Sequence, residues 1–392
     1  MTNQMAVEMK EHLNQKLIPF WKGLRDETYG GFYGYMDYDL RIDRESVKGV
    51  ILNSRILWFF SNAYLTLKQE DLLHYAEHAY RFLRDYCMDH DNGGVFWSMT
   101  YDGLPEDTTK HTYNQAFAIY ALSTYYNASK DSKALMYAYE LFQLIETRCK
   151  EATGYGEAYD VGFQPVSNEK LSENGVIASR TMNTLLHVFE AYTELYKVDH
   201  DEKVGKRLEE ILDIFADKVY NPEKKRQEVF FDENWNSLID LHSYGHDIET
   251  SWLIDRGCEV LKNDAYTARM GQITELLAEE VYKKAYRDHS LLNECENGID
   301  QTDRIWWVQA EAVIGFINEW QKQPEKSQYY AAAEDIWNYI KTKMTDHRPG
   351  SEWFWKLDSK GDPVEGAPIV EPWKCPYHNG RMCMELIARF QG

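Results

Sequence analysis

The sequence predicts an all-α protein, an (α/α)6 barrel in which six inner helices are wrapped by six outer ones. Three observations carry this. Six segments are apolar on nearly every side, six others are apolar along a single stripe, and the two kinds alternate at a roughly constant pitch. A helix apolar all round must be enclosed, and an amphipathic helix has a face with which to enclose it. Alternation of the two therefore builds a double ring.

The first striped segment covers residues 3–18, and the first apolar one, NSRILWFFSNAY, starts at Asn53. Striped residues 70–87 then precede HTYNQAFAIYALSTYY from His111, and 131–150 precede SRTMNTLLHVFEAYTELY from Ser179. Residues 202–219 lead to GHDIETSWLIDRGCEVL from Gly245, 264–284 to RIWWVQAEAVIGFINEW from Arg304, and 326–344 to YHNGRMCMELIARF from Tyr377. The apolar segments start 58, 68, 66, 59 and 73 residues apart. An open solenoid of tetratricopeptide type would repeat at about 34 residues. Turn-rich inserts read as small hairpins at 30–40, 93–103, 228–238 and 351–361. No Pro- or Ser-rich linker divides the chain, so residues 1–392 are expected to form one catalytic domain.

Composition narrows the function. Forty-three Lys and Arg stand against 64 Asp and Glu, a net charge of −21. Such a field repels phosphate backbones and anionic lipid, which argues against nucleic-acid and membrane partners. MTNQMAVEMKEHLNQKL lacks the uninterrupted apolar stretch of a signal peptide, and no run is long enough to span a bilayer. The six cysteines form no CxxC pair, so a reducing cytoplasm is expected; no motif sets the oligomeric state, for which a monomer is favoured. Twelve Trp, 28 Tyr and 16 Phe exceed what a core requires; aromatic faces pack helices, and they also stack on sugars.

Each apolar segment carries polar groups at or near its start, where a common cavity would open. They are Arg55, Tyr113 with Asn114, Asn183 with His187, His246 with Glu249, Trp307 with Glu311, and His378 with Arg381. Spacings of three and four residues place partners on one helix face. Any one of them has a plain reading as a satisfied buried polar group; six together point to a site. In SYGHDIETSW, His246 reads as a proton carrier, a metal ligand or part of a helix start. His242 and His246 have a metal-like spacing, with Cys375 and His378 as further donors, but Ser243 replaces the glutamate of HExxH and no closed zinc site matches. A serine nucleophile near Ser172 lacks its GxSxG elbow, and no nucleotide-binding loop occurs, so no cofactor is expected. Two histidines across a cavity suit proton transfer near neutral pH. Glu249, one turn beyond His246, is placed to orient that ring, and Arg55 to stabilise an oxyanion. Trp306, Trp307 and Trp373 offer platforms for pyranose rings. Two rivals stay open: a glycoside hydrolase using acids such as Asp37, Glu173, Asp247 and Glu311, and a helical-repeat binding protein.

The segments NSRILWFF, TYNQAFAIY, LSENGVIASRTMNTLLH, SYGHDIE, IWWVQAEAVIGF and PWKCPYHNGRM resemble the N-acylglucosamine 2-epimerase superfamily, most closely its cellobiose-epimerising branch. The resemblance runs from about Asn14 to Phe390 with no departure at these positions. It implies an (α/α)6 barrel and reversible epimerisation at C2 of the reducing-end glucose of β-1,4 disaccharides, cellobiose giving glucosyl-mannose and lactose giving epilactose, without metal or redox cofactor. N-acylglucosamine and mannose are the alternative substrates within the superfamily. Position by position it implies His246 and His378 as the acid/base pair and His187 as a third histidine. Arg55, Tyr113, Asn183, Glu249, Trp306, Trp307 and Trp373 would hold the sugar.

Overall fold

The computed structural model describes residues 4–172 and 174–391. Six inner helices, Val50–Leu67, Thr112–Ser129, Met182–Asp199, Tyr244–Leu261, Trp306–Lys322 and Tyr377–Gln391, form a ring in which each packs on the next and the last packs on the first. Outer helices occupy residues 4–22, 70–87, 132–149, 202–219, Asp264–Ala285 and 327–344. The (α/α)6 architecture is thus the one the alternating pattern predicts, and closure rules out the open solenoid. At the seam, a Cβ on Gly380 would lie 2.5 Å from the Phe59 ring, so only glycine lets the last inner helix approach the first this closely.

The two ends of the ring differ. Inner helices pass to outer ones through short links, four of which begin at a left-handed residue, Lys68, Lys130, His200 or Lys262 (φ 56°, 61°, 57° and 54°), whose N–H bonds back to the helix. Outer helices return to inner ones through long connections: 23–49, 88–111, 150–181, 220–243, 286–305 and 345–376. All long connections therefore gather where the inner helices begin, and that end is the mouth of a cup.

The hairpins lie a few residues beyond their expected starts. Tyr35–Met36 pairs with Ile42–Asp43, and Ser98–Met99 with Pro105–Asp107. Phe230–Phe231 bridges to Ser237, and Lys356–Leu357 to Pro363. The glycine pairs used to place two of them, Gly30–Gly31 and Gly93–Gly94, sit at φ between 64° and 83° and form the turn after the outer helix instead. The short strand before each inner helix pairs with the hairpin of the next connection: Lys48–Gly49 with Ser98–Met99, Lys110–His111 with Ala158–Tyr159, Arg180–Thr181 with Phe230–Phe231, Leu241–Ser243 with Glu294–Glu296, and Arg304–Ile305 with Lys356–Leu357. Met36 bridges to Val370 and completes the belt around the mouth.

A second repeat holds that belt down. A buried basic residue two or three positions before each inner helix meets an acid: Lys48 with Asp26 (2.6 Å), Lys110 with Asp89 (2.8 Å), Arg180 with Glu151, His242 with Asp247 (2.8 Å), Arg304 with Asp288 (3.5 Å) and Lys374 with Glu352 (2.5 Å). In five of the six the acid follows the preceding outer helix, so the pair ties the two ends of one long connection. Among the described residues no helix is long and apolar enough to cross a membrane, and all six cysteines are unpaired.

Removing one partner of such a buried pair strands the other charge. Asp89→Ala, which leaves the Lys110 amine buried without a carboxylate, is expected to lower the unfolding free energy by about 3 kcal/mol in urea titrations. An unchanged midpoint would show that the pair contributes nothing.

Candidate active site

The first turn of the last inner helix sets the geometry of the mouth. Arg381, fully buried, directs one guanidinium nitrogen to Glu311 Oε1 (2.7 Å) and Glu249 Oε1, and the other to Glu190 Oε1 (2.5 Å) and the Tyr377 hydroxyl. Its cationic plane lies over the Tyr377 and Trp252 rings, at 4.2 and 4.8 Å. Two of these carboxylates hold histidines: His187 Nδ1 donates to Glu190 Oε2 and His378 Nδ1 to Glu311 Oε1, both at 2.8 Å. Trp252 Nε1 donates to the other Glu311 oxygen (2.9 Å). A carboxylate on Nδ1 fixes the ring and its tautomer, leaving Nε2 for a ligand.

His246 is held differently. Ser243 occupies the N-cap position of its helix, yet its hydroxyl makes no cap bond and instead meets His246 Nδ1 at 2.7 Å. Glu249, which the i,i+3 spacing predicts as the partner of His246, turns away toward Arg381 and stands 3.9 Å from His378 Nδ1. That expectation is corrected: the guanidinium outcompetes a neutral imidazole for a buried carboxylate. The Trp307 indole lies 4.8 Å from the His246 ring and 5.4 Å from the His378 ring, so one platform touches both imidazoles. Gly245 permits this, since a Cβ there would come within 2.5 Å of Trp307.

Arg55 completes the cup. Its guanidinium donates to the Tyr113 hydroxyl (2.8 Å) and the Trp373 carbonyl (3.5 Å) and lies over the Phe117 and Tyr377 rings, at 4.2 and 4.7 Å. No carboxylate pairs with it among the described residues, so its charge is available to a ligand oxygen. Asn183 Oδ1 and Trp306 Nε1 likewise bond no described protein group. A cavity of about 260 Å³ is lined by Arg55, Tyr113, Asn183, His187, His246, Glu249, Trp306, Trp307, Trp373 and His378. The ten residues that the family resemblance implies for the site all meet there.

Others do not. Asn114 spends its amide on the Phe96 carbonyl (2.6 Å), and Glu311 and Arg381 lie behind the wall. His242 is bound to Asp247 in the belt, so the His242/His246 metal reading has lost one donor. Donor atoms of Glu249, Glu311 and His378 do converge within 4.8 Å, but the Arg381 guanidinium already sits on both carboxylates. Ser172 Oγ accepts from the Ala178 N–H, Asp37 lies in a hairpin turn beside Arg41, and Glu173 lies outside the described residues. The sequence reading missed Glu190, three residues past His187, and the loop-borne wall of Leu171, Asn174, Phe230, Ser243, Asn293, Glu294 and Trp355. Leu171, Asn174 and Ser243 stand within the LSENG and SYGHDIE blocks; no spacing marked the rest.

The electrostatics follow from burial. Burial raises Glu190, yet Arg381 and His187 outweigh it and hold its carboxyl at about 2. Burial and the nearby Glu311 push Glu249 up to about 7 against Arg381. Burial lowers both His246 and His378, helped by His187 at the first and by Arg381 at the second, so both imidazoles are neutral at pH 7.

The family description for N-acylglucosamine 2-epimerase (GlcNAc 2-epimerase) matches residues 31–379. The chain belongs to this family. This epimerase is 49% identical to a cellobiose 2-epimerase of Ruminococcus albus, with 98% of this chain and 99% of that one covered. It is 49% identical to the cellobiose 2-epimerase of Eubacterium cellulosolvens over 96% of each chain. Among solved structures, cellobiose 2-epimerase from Bacillus thermoamylovorans superposes with a TM-score of 0.96 at 45% identity, covering 99% of this chain and 100% of that one. A GH76 α-mannanase of Bacteroides thetaiotaomicron shares only the fold, at 11% identity and a TM-score of 0.63.

Losing the hydroxyl that positions His246 should slow chemistry more than binding. Ser243→Ala is expected to lower kcat on cellobiose about three- to tenfold, the worth of one hydrogen bond, with KM nearly unchanged in steady-state assays. An unaltered kcat would show that Trp307 alone positions the ring.

Proposed function

We propose that the chain catalyses reversible epimerisation at C2 of the reducing-end glucose of β-1,4-linked disaccharides, interconverting cellobiose with glucosyl-mannose and lactose with epilactose. One observation carries the chemistry: His246 and His378 line one cavity against the same indole, each with Nδ1 engaged and Nε2 left for substrate. The near-full-length likeness to cellobiose 2-epimerases supports the choice of sugar.

Inversion beside a carbonyl requires an open-chain sugar. Its C2 proton leaves to one neutral imidazole and the electron pair moves into a planar enediolate; the other imidazole, having taken a proton from solvent at Nε2, returns it to the opposite face, and the first imidazolium then loses its proton to solvent. The change is neither an oxidation nor a reduction, so the scheme contains no redox cofactor. Each positioned acid or base contributes roughly 10² to 10⁴ in rate. Glu311 orients His378 and stabilises it once it has gained a proton. Arg55, with Tyr113, faces the enediolate oxygen; an unpaired guanidinium in a dry site stabilises developing negative charge strongly. His187, Glu249 and Asn183 hold sugar hydroxyls, and Trp306, Trp307 and Trp373 pack on the rings. Of the acids offered for a hydrolase, Asp37, Asp247 and Glu311 do not line the cavity, which favours the epimerase reading. The chain forms one catalytic unit and works as a cytoplasmic monomer on sugars rather than nucleic acid or membrane; the charge of −21 supports the exclusion of nucleic acid and membrane, and the six unpaired cysteines support the cytoplasm.

Incubation with lactose in D₂O is expected to give epilactose carrying deuterium at C2 by NMR; free glucose and galactose would instead mean hydrolysis. His246→Ala and His378→Ala are each expected to lower kcat by about 10² to 10⁴ while the far-UV circular dichroism is unchanged. Because burial lowers both imidazole pKa values, the rate plateau should extend below the ordinary histidine value of about 6.5. A profile that falls by half at or above that pH would contradict a neutral resting base.

A further inference from the structure

His111 is buried beside the cavity without lining it, and the scheme above gives it no part. It stands at the N-cap of the second inner helix, where its Nδ1 accepts from the Tyr113 N–H (3.2 Å). That bond places the ring proton on Nε2, which donates to Asn168 Oδ1 at 3.0 Å. Glu157 Oε2, at 3.7 Å, lies beyond hydrogen-bond reach. Asn168 in turn knots the connection ahead of the third inner helix: its Oδ1 also accepts from the Leu171 N–H (3.4 Å), and its amide donates to the Ala178 carbonyl (3.2 Å). The same connection carries Leu171 and Asn174 into the cavity wall. Asn174 reaches across to Glu296 (2.8 Å) on strand Glu294–Glu296 of the connection that leads to the fifth inner helix. One neutral imidazole thus moors a segment that spans part of the mouth.

The histidines assigned to C2 hang from inner helices, whereas Leu171 and Asn174 belong to the loop-borne wall. Leu171 and Asn174 line the same cavity as His246 and His378, so a disaccharide with its reducing end at the two histidines would turn its other sugar to that wall. Resting on the epimerase reading, we propose that His111 is a positioning residue for the non-reacting sugar, acting through Asn168 to set Leu171 and Asn174. Its bond holds the distal wall without touching the groups that move the proton.

The test compares His111→Phe, which removes both bonds, with His111→Gln, whose amide supplies an acceptor and a donor, and with Asn168→Ala, which leaves the cap on Tyr113 intact. For His111→Phe and Asn168→Ala, KM for cellobiose is expected to rise about tenfold with kcat within about twofold, the size of one lost buried hydrogen bond acting on binding alone. His111→Gln is expected to recover most of that loss. Thermal melting identifies any variant that does not fold, and Asn168→Ala then decides. Equal KM in wild type and both disabling variants, or a fall in kcat at constant KM, would overturn the assignment. A wild-type chain that leaves cellobiose unchanged would overturn the epimerase reading itself.

Discussion

Three carboxylates buried around one guanidinium are the constraint from which the site follows. Glu190, Glu249 and Glu311 come from three different inner helices, and each would be prohibitively expensive to ionise alone in a dry interior. Arg381 reaches all three because a guanidinium offers five donors in a fixed fork, which a lysine ammonium cannot do. With that cation in place, two of the acids grip Nδ1 of His187 and His378. The third, Glu249, grips no histidine, and burial with the nearby Glu311 pushes it up to about 7 against Arg381. Gly380, one residue before Arg381, lets the helix sit close enough for the bridge.

This arrangement puts most of the ionisable groups that line the cavity on helices and much of its enclosing wall on loops. Arg55, His187, His246, Glu249 and His378 stand on inner helices whose backbones are locked in a ring, so their spacing is fixed by packing density rather than by loop conformation. The enclosing residues, among them Phe230, Asn293 and Trp355, come from connections that run over the mouth. Six acid–base pairs, of which Lys48–Asp26, Lys110–Asp89 and Lys374–Glu352 are ion pairs buried on both sides, tie those connections to the ring and limit how far the wall can drift.

Much of the ring and the helix-borne site was legible because periodicity is local. All-round apolar character marks the inner helices, and a polar residue on such a helix is conspicuous; Arg55 and His187 stood out for that reason. Partnership between helices is not local. The i,i+3 pattern joined Glu249 to His246, but the cation that claims Glu249 is Arg381, 132 positions later. Glu190 read as one more acid on a helix, since its meaning lies in contacts with Tyr377 and Arg381. The glycine pairs at 30–31 and 93–94 signalled turns correctly but not which side of the strand they begin.

The cation shared by the three buried acids belongs to the twelfth helix. As the polypeptide leaves the ribosome, helices bearing Glu190, Glu249 and Glu311 emerge before the guanidinium that pairs with all three, and hydration of those acids opposes their burial. Docking of the final helix neutralises the trio and shuts the ring at Phe59 in the same motion. Maturation of the catalytic centre is therefore inseparable from topological closure, and a nascent chain stalled before Tyr377 would carry eleven helices without a competent cup.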